Sequence, residues 1–262
     1  MTVLYWFMIK SIDFNADAAA GSKYSPKTNF ADKPVNYVSF YDAARFANWV
    51  GTGDTETGFY NLNATNSIAS QGVHGVGSYV AITNNDEWYK AAYHQNDGAT
   101  GHYYLYPTSS DTLPTSATAT PTGDIANPGV NVANYNFTAN WNGTENGGPG
   151  DELGNVTTVG STGPGSASPY GTYDQGGNVL EWIDAAVGGN KHVMRGGSMW
   201  LDGSYLASTY STSYLSHLGG SSLGFRLTSL APIESVPLPP SALMMLPSLF
   251  GLAAFGKRRR GN

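Results

Sequence analysis

From Tyr106 to Thr172 the chain is dominated by Gly, Asn, Thr, Ser and Pro, residues that make turns and interrupt helices. A helical bundle cannot accommodate such a stretch, and an unstructured loop of that length is uncommon inside a compact domain unless something orders it. Its main polar resource is oxygen, so an ion coordinated by loop oxygens is the candidate. Disorder is the competing outcome, and the aromatic content opposes it. Seventeen Tyr, 10 Phe and 6 Trp supply large buried areas, whereas chains that stay unfolded are poor in aromatics and rich in charge; only 12% of this chain is charged. The 262 residues therefore read as one loop-rich domain with a real core.

Two short helices are predicted. Ser39, with Asp42 three residues on, forms a capping box ahead of Phe40, Ala43, Ala44, Ala47 and Val50 at helical spacing. The second has Thr83 as N-cap and Asp86 as its partner, with Trp88, Ala91 and Ala92 as the buried face. Asp42, Asp86 and Glu87 then serve capping rather than acid-base chemistry. Strands are predicted at 77–82, 191–195 and 224–227, too few and too short for a sandwich or barrel.

The chain carries 13 basic and 19 acidic residues, and four of the basic ones form the run Lys257-Arg258-Arg259-Arg260. The remainder stands at 9 basic against 19 acidic, or -10, which leaves too few cations for a nucleic-acid face. There is no cysteine, so disulfides, thiolate metal sites and thiol nucleophiles are excluded. Val236 to Gly256 holds no charged residue, and a helix over 241–255 followed by the basic run predicts one C-terminal transmembrane helix with the domain outside the cell. Pro237, Pro239 and Pro240 make 231–240 a Pro-rich linker, leaving 241–262 as the membrane tail. At the other end, the apolar run Val3 to Ile9 has no basic region before it and no small-residue cleavage site after it, so 1–29 is expected to be a truncated N-terminal segment.

The densest cluster of chemistry runs from Tyr173 to Trp182, where Asp174 and Glu181 bracket Gly176-Gly177. Hard cations favour carboxylates and inward-turned carbonyls in such a setting, although a Gly-Gly turn leading into a strand or helix that buries Trp182 explains the same pattern. There is no GxSxG elbow or P-loop, and the histidines His74, His94, His102, His192 and His217 show no metal-ligand spacing. Each reads as an ordinary hydrogen-bonding residue, with His94 and His102 the pair to inspect.

Several segments occur in a telling order: Pro34 to Ala43, Asn85 to Ala92, Gly177-Asn178-Val179-Leu180-Glu181-Trp182, Arg195-Gly196-Gly197-Ser198 and Leu223-Gly224-Phe225-Arg226. In that order they resemble the formylglycine-generating enzyme family, also called the sulfatase-modifying-factor domain, over about 30–230. The resemblance implies an α+β fold, irregular, loop-rich and C-type-lectin-like, with structural calcium (Ca2+). It sets one ion at Asp174, Gly177, Val179 and Glu181. A second falls at Asn134, Tyr135, Asp151 and Leu153, bridging the long loop. A ligand cleft is expected near Trp182, Arg195, Ser198, Tyr205 and Arg226, the one an oxidoreductase would reuse, with scaffold as the competing role for family-motif residues such as Arg195 and Arg226.

Members that oxidise a sulfatase cysteine carry two copper-binding cysteines after the Gly-Ser segment, where this chain has Leu201 and Leu206. Leucine offers neither a nucleophile nor a metal ligand, so no copper is expected and no catalytic residue is assigned. The tail Val236-Pro237-Leu238-Pro239-Pro240, apolar helix and arginine run resembles the PEP-CTERM class of bacterial sorting signals, which implies processing by an exosortase. The expected function is thus an exported, extracytoplasmic bacterial surface or matrix binding module for exopolysaccharide or a surface protein, membrane-anchored or released once the tail is processed. The alternative is a metal-dependent, non-heme-iron oxidoreductase of the same fold.

Overall fold

The computed structural model describes residues 11–19, 21–63, 67–141 and 154–230. The predicted transmembrane tail lies outside the described residues, among which no helix is long and apolar enough to cross a membrane.

The chain opens with a hairpin, β1 (Ile12–Phe14) and β2 (Tyr24–Pro26), and then enters helix α1 (Phe40–Thr52). Both halves of the predicted capping box form: Ser39 Oγ accepts from the Asp42 N–H at 3.2 Å, and the Ser39 N–H donates to Asp42 Oδ2 at 2.9 Å. Phe40, Ala43, Ala44 and Ala47 are wholly buried, while Val50 is only half-buried. Next come the paired strands β3 (Tyr60–Leu62) and β4 (Ile68–Gln71), then β5 (Val80–Ile82).

Helix α2 (Asn85–Tyr93) starts one residue later than predicted. Asn84 is its N-cap and Glu87 the reciprocal partner, so Thr83 and Asp86 do not cap it. The backbone of Thr83 is already committed, its N–H to the Arg226 carbonyl at 3.3 Å and its carbonyl to the Asp184 N–H at 2.9 Å. Trp88 and Ala92 are buried as expected, Tyr93 joins them, and Ala91 is half-buried.

Among its described residues the long polar stretch contains β6 (Thr115–Ser116) and β7 (Val132–Ala133), paired in parallel, and a single 3-10 turn at Pro164–Ser166. After it come β8 (Leu180–Val187), β9 (Lys191–Arg195), β10 (Thr212–Leu215), β11 (Leu223–Phe225) and β12 (Leu227–Ser229). The main sheet has the order β10-β9-β8-β11, with β11 parallel to β8 and the other pairs antiparallel. The strand predicted at 191–195 is found as β9. That at 77–82 contracts to β5, and that at 224–227 is instead two strands broken at Arg226, with β11 on β8 and β12 antiparallel to β5.

β8 shows no two-residue alternation of burial: Leu180 to Ile183 are all buried, and the strand reaches solvent only past Asp184. The largest core packs α1 against β5 and the start of β8, with the Phe40 ring edge-on to Tyr60 and Trp182 and stacked at 3.5 Å on His192. These elements form an irregular domain of short mixed sheets and few helices, as the α+β expectation required.

Candidate functional site

The turn from Tyr173 to Val179 is held by unusual backbone geometry. Asp174, Gly177 and Asn178 all have positive φ, at 57°, 82° and 62°. A Cβ on Gly177 would run into the Asn134 carbonyl, so glycine is required there for space as well as for conformation. The Asn178 N–H donates to that same carbonyl at 2.8 Å. Asn178 extends its side chain to the far arm of the polar stretch, with Oδ1 accepting from the Thr157 N–H at 2.9 Å and Nδ2 donating to the Thr157 carbonyl at 3.1 Å. Asn134 continues the network, its Nδ2 donating to the Asn155 carbonyl at 2.8 Å and to Thr157 Oγ1 at 3.1 Å.

Two carboxylates stand at this turn. Glu181, on β8, is buried and takes a two-pronged ion pair from Arg226, Nε to Oε2 at 2.5 Å and Nη2 to Oε1 at 2.6 Å. Oε2 also accepts from Trp88 Nε1 at 2.6 Å. Arg226, at the break between β11 and β12, thus links the motif in β8 to the last described strands. Asp174 Oδ2 accepts from the Gly160 N–H at 2.7 Å. Burial pushes the Asp174 carboxyl up to about 6 and the Glu181 charge adds to this, against the pull of the Gly160 hydrogen bond and Arg226.

The family resemblance implies calcium here, and the donors can be tested against it. The sets offer oxygen alone, the chemistry a hard cation needs. At the second set, Asn134 Oδ1 is buried and has no hydrogen-bond partner among the described residues. A buried acceptor without a donor is costly, and a cation or a water is what would relieve it. Asn134 therefore fits, whereas the Tyr135 carbonyl already accepts from Thr138 Oγ1 at 3.0 Å; Asp151 and Leu153 lie outside the described residues. In the first set Asp174, Gly177 and Val179 belong to the turn and Glu181 to the strand that follows it, and Asp174 is the under-compensated carboxylate. Glu181 already has three donors on its two oxygens, so the fit there rests on Asp174. Among the described residues no cluster of three or more His, Asp and Glu side chains is arranged to hold a metal, so the first set would add carbonyls to Asp174 and the second relies on the Asn134 amide and carbonyls.

The predicted cleft residues differ in exposure and are mostly committed to partners of their own. Trp182 and Ser198 are buried, the Trp182 indole donating to the Val38 carbonyl at 3.0 Å. Arg226 is occupied by Glu181. Arg195 and Tyr205 are half-buried, and Arg195 donates to Asn85 Oδ1 at 2.9 Å and the Tyr210 carbonyl at 2.9 Å. Where the resemblance sets two cysteines, Leu201 packs on the main core and Leu206 is wholly buried.

One cluster escaped the sequence reading. His74 lies between two carboxylates, Nε2 donating to Asp184 Oδ2 at 2.9 Å and Nδ1 reaching Glu87 at 3.1 Å. Tyr60 donates its hydroxyl to Asp184 at 3.0 Å and Tyr79 donates to Glu87 at 3.1 Å. Burial opposes charge on His74, yet the hydrogen bonds and charges of the two carboxylates prevail and raise it to about 9. Its partners are distant in sequence, so no local motif announces it. His94 and His102 do not form a pair: His94 Nε2 lies 3.0 Å from the Ala99 carbonyl, and His102 pairs with Asp97 at 2.7 Å.

A family model described as the sulfatase-modifying factor enzyme 1-like domain matches residues 9–230, beginning ahead of the boundary expected at 30. Three solved structures are similar. Treponema denticola variable protein 1 shares 18% identity at a TM-score of 0.47, over 84% of this chain and 78% of that one. CarF shares 23% at 0.45, over 77% and 69%. PvdO from Pseudomonas aeruginosa shares 14% at 0.44, over 84% and 71%. No curated protein matches the chain.

Proposed function

We propose that this chain, which belongs to the sulfatase-modifying factor enzyme 1-like domain family, works as an exported binding module stabilised by calcium and not as a formylglycine-generating oxidase. One observation carries the reading: the segment where the family resemblance sets two cysteines is packed with Leu201 and Leu206. No thiol is available anywhere in the chain to exchange with a substrate or bind copper.

Bound calcium would supply positive charge and cross-link loop oxygens. The protein's own part is to present them: Gly177 lets the turn press against Asn134, Asn178 ties the turn to Thr157, and Arg226 holds Glu181 in register. The ligand is an exopolysaccharide or a surface protein. The tail from Val236 to Arg260 acts as a PEP-CTERM-type sorting signal, read by an exosortase that leaves the domain at the cell surface or releases it.

Metal analysis of the purified full chain tests the reading. Stoichiometric calcium without copper or iron is expected. Stoichiometric copper or iron, together with oxygen consumption, would overturn it in favour of a metal-dependent oxidoreductase.

A further inference from the structure

Helix α2 and the loops beside it carry a row of rings that runs outward from the core, Tyr89 packing against the buried Tyr93 at its inner end. Tyr103 and Tyr170 are 41% and 38% exposed, large values for aromatic residues outside a core. They flank His94 at centroid distances of 5.2 and 5.9 Å, and Tyr89 adjoins Tyr103 at 5.1 Å. The rings are tilted by 40° to 75° to one another, so none of these pairs is stacked face to face.

The row is also fixed in place. The Asn96 N–H donates to His94 Nδ1 at 3.0 Å, so Nδ1 is an acceptor, and Nε2 must carry the proton it gives to the Ala99 carbonyl. The Tyr170 hydroxyl, 2.8 Å from Nδ1, is therefore the donor, which pins that ring at its tip. Tyr103 is held by an antiparallel bridge to His94. Rings ordered before binding lose little freedom on contact.

Two cations border the row. Lys90 Nζ lies 5.9 Å from the Tyr170 centroid and the Arg195 guanidinium 5.3 Å from that of Tyr89. Among the described residues neither pairs with a carboxylate, in a protein where acids outnumber bases; Arg195 donates only to an amide and to carbonyls.

We propose that Tyr89, Tyr103, His94 and Tyr170, with Lys90 and Arg195, form a binding platform for an acidic, uronate-bearing polysaccharide. This rests on the binding-module reading and names its site. Pyranose C–H faces pack on the exposed rings of Tyr103 and Tyr170, hydroxyls meet the phenol tips, and the two cations, neither balanced by a carboxylate, complement sparse carboxylates. Single-stranded nucleic acid also stacks on aromatic rows, but its charge density calls for more cations than the two present.

Affinity electrophoresis of the full chain in gels containing xanthan, with dextran as the uncharged comparison, tests the assignment. Selective retardation by xanthan is expected, weakened about tenfold by Tyr103→Ala or Tyr170→Ala and several-fold by Lys90→Gln. Phe14→Ala, at an exposed ring on β1, should change nothing. Retardation that the three platform variants leave intact would overturn the site while sparing the module reading. Equal retardation by dextran would overturn the charge selectivity. Absence of retardation by xanthan, or tighter binding to single-stranded DNA, would overturn the proposal, whereas the module reading is judged separately by metal content.

Discussion

Replacing His74 with glutamine should flatten the alkaline limb of the stability curve. In the native protein His74 is held at about 9 against an ordinary 6.5, so between those values the folded state keeps a proton that the unfolded state has lost. Stability from this source is complete below pH 6.5 and declines by about 1.4 kcal/mol per pH unit until it is gone above 9. The whole shift corresponds to about 3 kcal/mol, and about 2 kcal/mol is a reasonable expectation because Glu87 is partly solvated. Asp184, by contrast, is only 3% exposed and loses its charged partner in the variant. Urea unfolding of both proteins from pH 6.5 to 9.5 gives the test, with the variant correcting for groups such as Lys33 that the two share. His192 does not interfere: burial against Phe40 drops it to about 4, so its effect falls between pH 4 and 6.5, where protonation favours the unfolded chain. The gap between wild type and His74→Gln should be widest near pH 6.5 and close toward 9.5. Parallel curves across that range would refute the charged imidazole between Glu87 and Asp184.

Chelation of calcium should lower the melting temperature of the wild type by several degrees, and Asn134→Leu should reduce that response by removing the orphaned Oδ1; an unchanged melt on chelation counts against bound calcium. Gly177→Ala should cost at least about 3 kcal/mol in denaturant, because it meets the Asn134 carbonyl as well as an unfavourable φ. Gly189→Ala, at a similar φ of 78° but with nothing within 4 Å, should cost only about 1 kcal/mol, so equal losses would show that the close approach is unimportant.

What could be read in the sequence was what lies close along the chain. The Ser39–Asp42 box depends on a four-residue pattern and forms as written. The same logic missed by one residue at α2 because the Thr83 backbone is claimed by Arg226 and Asp184, partners more than a hundred positions away. The motif around Glu181 was visible, but its real environment is assembled by Trp88 and Arg226 from 93 and 45 residues away. Trp182 looked like a cleft residue because it sits beside that motif, and strand alternation in fact turns it into the core. His74 was dismissed for lack of a local pattern, since Glu87 and Asp184 meet it only after folding.

The split of the last described strands at Arg226 bears on the order of assembly. β5 is laid down early in synthesis, but its antiparallel partner β12 lies nearly at the end of the matched domain. β8 likewise waits for β11, and Glu181 for the guanidinium between them. A nascent chain therefore cannot close either sheet edge until almost all of the domain has been made, and the high sequence separation of these contacts slows the search for them. If the domain is exported as proposed, that delay is an advantage: the strands that complete the structure emerge last, so the polypeptide stays threadable for most of its synthesis.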